Sequence, residues 1–214
     1  PQEDGQNFIV SSALSIIRWA AVLLALALPA FYTAIAMYHQ EMIPTQLLLS
    51  VISSKQDVPF STALELLGML IVFELLQEAG LRLPDPIGDT VSIIGALIVG
   101  QSAVEAKVIS PIAVIVVATA GVAGYAQPSQ DLGAALRVSR FAMVIAAIAA
   151  GLYGVVFSLC FVVWYLCTID SFGRNYTAPW SGSGRRNLAR TFLRRPLPDE
   201  KFREPELDTP DMRK

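Results

Sequence analysis

DPIGDTVSIIGALIVGQSAVEAKVISP, residues Asp85 to Pro111, is an apolar run opened by Pro86, threaded with glycines, broken by Glu105 and Lys107, and restarted at Pro111. Proline is accepted in the first turn of a helix and resisted in its interior. The pattern therefore predicts two short helices meeting at a polar turn. Thr90 to Val104 supplies 15 uncharged residues, and Val108 to Ala126 supplies 19 before the break at Gln127-Pro128-Ser129. In lipid an unpaired backbone polar group is costly, so irregular backbone at membrane depth survives only inside protein or beside a water-filled cavity. The first segment is short for a full crossing, which leaves two arrangements: a hairpin that spans twice, or a re-entrant pair.

The rest of the chain places this hairpin in a membrane protein. Of 214 residues 54% are hydrophobic, and the mean hydropathy is +0.53, yet the charges gather in connections and in the tail. A soluble domain spreads charge over every element. Phe141 to Ile169 is a run of 29 residues without a charge, about 43 Å as a helix against a bilayer core of about 30 Å. Trp19 to Tyr38 is a second such run of 20 residues, with Pro29 as a predicted kink. It is too long for the apolar core of a signal peptide, and no small-residue cleavage pattern follows it. With the hairpin these runs predict an all-α, polytopic fold of about four transmembrane helices.

Two further helices are expected outside the spans. Pro44 to Ser53 is too short to cross and suits an interface. Phe60 to Ala79 has Leu64, Leu67, Gly68, Ile71 and Leu75 at helical spacing. Its Glu65 and Glu74 are nine residues apart, roughly 180° around a helix. Carboxylates on opposite faces predict an interfacial or protein-packed helix, ended by Gly80 and Pro84.

Charge gives the orientation. The formal net charge of -2 hides ten of the 16 Lys and Arg residues after Asp170, which by the positive-inside rule puts the tail in the cytoplasm. Seven acids between His39 and Asp89 face only Lys55 and Arg82, so the N-terminus is expected on the cytoplasmic side as well. Arg137 and Arg140, before the last span, run against this arrangement. The expected organisation is a cytoplasmic N-terminal segment over residues 1–15, a transmembrane domain over 16–169 and a cytoplasmic tail over 170–214. That tail is basic from Arg185 to Arg195, where it either attracts anionic headgroups or only sets topology. From Pro196 it is charged and proline-rich, the composition of a disordered segment.

Within the hairpin, Ser92, Ala96 and Gly100 lie at i, i+4 and i+8, a small-residue stripe suited to close packing between subunits. Gln101 and Glu105 form a neighbouring polar face. A carboxylate at membrane depth is a functional candidate, and a ring of them from several subunits favours cations. The alternative is that Glu105 caps the turn or pairs with Lys107. Ile94 and Ile98, with Ile93 and Leu97, are candidates for a hydrophobic gate, or face lipid. Glu41, where the first span meets water, and Glu74 are further polar candidates. The single histidine, His39, stands at that same interface and offers no metal cluster. Cys160 and Cys167 are roughly 10 Å apart along one helix, too far for an intrachain disulfide. With no phosphate loop and no nucleophile-base set, no enzyme activity, cofactor, metal or nucleic acid is expected.

A family resemblance rests on ordered strings: Glu41-Met42-Ile43-Pro44-Thr45, Val58-Pro59-Phe60, Phe73-Glu74, Arg82-Leu83-Pro84, Pro86-Ile87-Gly88, Val91 to Leu97, Gly100 to Ala106, Ser110-Pro111-Ile112 and Ser171-Phe172-Gly173. In this order and spacing the chain resembles the membrane domain of the A-subunit family of bacterial spore germinant receptors, the GerA family, from about Glu3 to Trp180. Ser61 departs from a proline common in that family. Members typically carry a cytoplasmic domain before the first span, so the chain reads as a fragment or a truncated relative. The resemblance implies a subunit of a nutrient-sensing complex in the spore inner membrane. It would act with a transporter-like B subunit and a lipoprotein C subunit, as a homo-oligomer forming a gated cation channel. A non-conducting scaffold that couples a sensor to another effector, or a sporulation paralogue that modulates the response, fits the same residues.

Overall fold

The computed structural model of the chain describes residues 8–81, 87–126, 130–171 and 174–175. The basic segment and the proline-rich tail lie outside them. Two compact units are distinguished, Ala20–Trp164 and Pro1–Trp19 with Tyr165–Lys214. Within the second, the described elements beyond helix ends are two-residue strands, β1 (Asp170–Ser171) and β2 (Arg174–Asn175), paired antiparallel with Asp170 opposite Asn175. This short pairing is an addition to the all-helical expectation.

Among the described residues six helices carry the rest: α1 Phe8–Tyr38, α2 Thr45–Lys55, α3 Thr62–Leu81, α4 Ile87–Glu105, α5 Pro111–Tyr125 and α6 Gln130–Thr168, with a 3-10 turn at Gln40–Met42. Two of them, α1 over Ser12–Tyr38 and α6 over Gly133–Thr168, contain stretches long and apolar enough to cross a membrane. In α1 Pro29 sits inside the helix, and the Thr33 hydroxyl donates to its carbonyl at 2.8 Å. The face of small residues Ala30 and Ala34 is fully buried.

The α4–α5 hairpin forms as the prolines predict. α4 ends in a Schellman turn: the Val108 N–H bonds Ala103 O at 3.0 Å and the Lys107 N–H bonds Val104 O at 2.9 Å. Lys107 occupies the left-handed position (φ 56°), where glycine is usual. Ser110 is extended (ψ 144°) and Pro111 opens α5, as a proline at the first helical position should.

α3 is the centre of the Ala20–Trp164 unit and packs on both α4 and α5. Leu66, Met69, Leu70 and Phe73 are buried in a core shared with Leu26, Ala113, Val117, Met143 and Val144. The protein-packed alternative for this helix is thus the one observed. Its buried face, however, is not the Leu64/Ile71/Leu75 stripe, which points outward. A helix apolar all round gives periodicity no way to choose a side.

The long uncharged run in α6 is not one straight helix. Gly151 breaks it with φ 61° and ψ -140°, a region essentially reserved for glycine. A Cβ on Gly154 would lie 2.0 Å from Ala146 O, whereas a straight helix separates residues eight apart by about 12 Å. The chain therefore turns sharply there. Tyr38 of α1 braces the break, its ring 3.2 Å from where a Gly151 Cβ would stand and its hydroxyl donating to Ile148 O at 2.5 Å.

Candidate functional site

Ile94, Ile98, Gln101 and Glu105 follow one another at i, i+4, i+7 and i+11, and the structure places them in a single open stripe along α4. Ile94 is 50% and Ile98 58% exposed, and Gln101 and Glu105 are exposed as well. The stripe is apolar over its first part and polar at the end next to the turn. There the Gln101 side-chain amide donates to Glu105 Oε1 at 3.0 Å. Lys107 does not close this pair. Its ammonium reaches Asp57 Oδ2 at 2.6 Å, tying the hairpin turn to the α2–α3 connection.

The small-residue face of α4 serves a different contact from the one expected. Ala96 is buried in the core. A Cβ at Gly100 would lie 2.8 Å from Val114 Cγ1 and 3.5 Å from Met69 Cε. Close approach is used here to pack α4 on α3 and α5 of the same chain. The side chain of Ser92 lies outside the described set.

Sequence reasoning missed the most deeply buried charge among the described residues. The Glu65 side chain has 0% exposure and its Oε1 stands 3.4 Å from the Lys55 ammonium. Its Oε2 accepts the Ser110 hydroxyl at 2.8 Å and, more weakly, the Ser110 N–H at 3.5 Å. Lys55 also donates to the Thr62 hydroxyl. The placements agree with the helix dipoles: Glu65 lies in the first turn of α3 and against the start of α5, and Lys55 is in the last turn of α2. The Tyr32 hydroxyl of α1 is buried, with no hydrogen-bond partner among the described residues. One carboxylate thus joins α2, α3 and α5 at a single point.

Glu74 heads a second cluster. Its carboxylate stands 3.2 Å from Arg137 and 3.5 Å from Arg140 of α6, and the Arg140 side chain is only 3% exposed. The two arginines that ran against the charge rule are therefore internal partners of α3, not signals in a connection. Glu41 is exposed beside His39 at 3.4 Å. Its own backbone N–H, and then His39, hold its carboxyl below the usual carboxylate range. Cys160 and Cys167 are exposed. Among the described residues no group of three His, Cys, Asp or Glu stands ready for a metal ion.

The family model described as Bacillus/Clostridium GerA spore germination protein matches residues 1–206. Spore germination protein KA of Bacillus subtilis (strain 168) is 40% identical over 173 residues, covering 81% of this chain and 32% of that protein. Spore germination protein B1 of the same organism is 35% identical over 196 residues, 92% of this chain and 41% of the relative. Spore germination protein GerLA of Bacillus cereus is 34% identical over 206 residues, 96% and 42%. The chain spans about a third to two-fifths of the length of these relatives. No solved structure matches it.

Proposed function

Because the chain belongs to the GerA family of spore germination proteins, we propose that it is the membrane-embedded part of a germinant-receptor subunit. Copies of it enclose a gated cation path in the spore inner membrane. α1, the α4–α5 hairpin and the two arms of α6 on either side of Gly151 make up the membrane-embedded part, with both termini cytoplasmic, and α3 is held among them. Residues 1–15 and 170–214 flank this transmembrane domain on the cytoplasmic side. The subunit works with a transporter-like B subunit that takes the nutrient and with a lipoprotein C subunit.

The open stripe of α4 is the observation that carries this reading. A helix whose small-residue face is committed inside the chain presents Ile94 and Ile98 and then Gln101 and Glu105 outward. Apolar constrictions close pores by dewetting, and carboxylate rings favour cations. The stripe thus supplies a gate and a selective mouth in sequence along one helix. At about 22 Å, the 15 residues of α5 fall short of a bilayer core, so the hairpin tip with Glu105 and Lys107 sits at or inside the interface.

The test is ion flux through liposomes holding the full receptor, with Glu105→Gln, Ile94→Ser and Ile98→Ser. Glu105→Gln should reduce cation preference, and the serine variants should leak without germinant, because a wetted constriction no longer closes. Flux and selectivity indifferent to all three substitutions would sink the assignment. Labelling of single cysteines along residues 90–124 separates a spanning hairpin from a re-entrant one.

A further inference from the structure

We infer that Asp57 preserves the cation preference of the α4 mouth by holding Lys107 off Glu105. The inference rests on the conducting reading of the α4 stripe and adds to it a residue from the α2–α3 connection. Glu105 and Lys107 are two residues apart, at most about 7 Å along the backbone, so the ammonium can reach and cancel the carboxylate. In the structure it goes instead to Asp57 Oδ2, at 2.6 Å. Glu105 keeps a neutral partner, the Gln101 side-chain amide, which donates to its Oε1 at 3.0 Å. The three charged groups together leave one net negative charge at the mouth, and without Asp57 they would leave none.

The fold brings the two partners together. Lys107 stands at φ 56°, a left-handed position where glycine is usual and a side chain is costly. A lysine in so costly a place points to a use for its side chain. Asp57 lies just past α2, in a turn closed by the Val58 N–H on Lys55 O at 3.1 Å. Lys55 is itself fixed by Thr62 and Glu65. Glu65 Oε2 in turn accepts the Ser110 hydroxyl at 2.8 Å, three residues after Lys107. One buried carboxylate thus joins the two segments that carry Asp57 and Lys107. The Lys107 and Asp57 side chains are 65% and 64% exposed, and ion pairs so exposed contribute little to stability. Their effect falls on the field at the mouth, and variants of either residue should fold.

The test is the potassium-to-chloride permeability ratio of the full receptor in planar bilayers under a salt gradient. Asp57→Asn should lower the ratio as far as Glu105→Gln does, by roughly five-fold, the enrichment that one exposed carboxylate gives a cation about 4 Å away in water. Asp57→Asn/Lys107→Gln should return it to the wild-type value, because the Glu105 charge is then uncancelled. A merely structural role for Asp57 would show no such rescue. If Glu105→Gln lowers the ratio but Asp57→Asn does not, or if Lys107→Gln fails to restore it, the inference is overturned and the path along α4 stands. Indifference to Glu105→Gln brings down the path reading and this inference with it. A second readout needs no current. With Cys160 and Cys167 replaced by alanine, Ser102→Cys, exposed beside Gln101, is labelled with a cationic and an anionic thiosulfonate. The ratio of the two rates should fall in Asp57→Asn and recover in the double variant, and an unchanged ratio overturns the inference.

Discussion

Replacing Gly121 of α5 by alanine tests the packing that holds the hairpin on α3. A Cβ there would stand 2.1 Å from Phe73 Cζ and 2.2 Å from Cε1, about 1.3 Å inside the 3.4 Å where ordinary contact begins. Phe73 is 2% exposed, so its ring has nowhere to swing, and α5 must move off α3. Overpacking of this kind costs about 1–3 kcal/mol, and a buried ring met nearly head-on belongs at the upper end. Alanine returns about 1 kcal/mol of helix propensity over glycine, leaving a net loss of about 2 kcal/mol. At about 2–4 °C per kcal/mol for a chain of this size, Gly121→Ala should lower the melting temperature in detergent by about 4–8 °C. Gly124 on the same helix has nothing within 4 Å of its Cβ direction, so Gly124→Ala should be neutral or stabilising by up to about 1 kcal/mol. Phe73→Leu should relieve the clash, making the double variant more stable than the sum of its singles by about 1 kcal/mol or more. Gly121→Ala as stable as Gly124→Ala, or strict additivity with Phe73→Leu, would refute the close approach of α3 and α5.

Two other expectations concern α6. Glu74→Gln removes the carboxylate shared by two guanidinium groups and strands Arg140. Breaking a buried pair costs about 3–5 kcal/mol, and because the Glu74 side chain is 29% exposed the loss should be near about 3 kcal/mol. Adding Arg140→Met should recover much of it, which unfolding of single and double variants measures; equal losses would contradict the pairing. Gly151→Ala forces a side chain into φ 61°, ψ -140° and against the Tyr38 ring at 3.2 Å. It should cost about 1–3 kcal/mol from backbone strain alone, read as a lower melting temperature, and a neutral result would mean that α6 runs unbroken.

Punctuation made the hairpin legible: Pro86, Pro111 and the charged turn between them fix its ends locally. The burial of Glu65 was not legible in the same way, because Ser110 lies 45 residues away and no local pattern links them. A signal was nonetheless available. Carboxylates on opposite sides of a helix with an apolar outward face imply internal partners for both, and a serine before a proline marks a helix start next to which a carboxylate is welcome. The break at Gly151 had no such signal, since a glycine in an uncharged run reads as a packing residue. Only the Tyr38 contact distinguishes it. The stripe of Ser92, Ala96 and Gly100 marked close approach correctly at Ala96 and Gly100 but could not say that the neighbour is the same chain.

The partners of α3 also dictate when it can settle during synthesis. The helix leaves the ribosome carrying Glu65 and Glu74, each expensive to insert singly into hydrocarbon. Lys55 precedes Glu65 in the chain, but Ser110 emerges 45 residues after it, and Arg140 emerges 66 residues after Glu74. If the domain is membrane-embedded as proposed, nascent α3 waits at the membrane surface or within the insertion machinery until the hairpin and the first half of α6 arrive. Chains halted before Arg137 should leave α3 accessible to water-soluble reagents, and those carried past Arg140 should not. Settling of α3 is thus timed by its charges, with the arginines of α6 as the last of its ion-pair partners to be delivered.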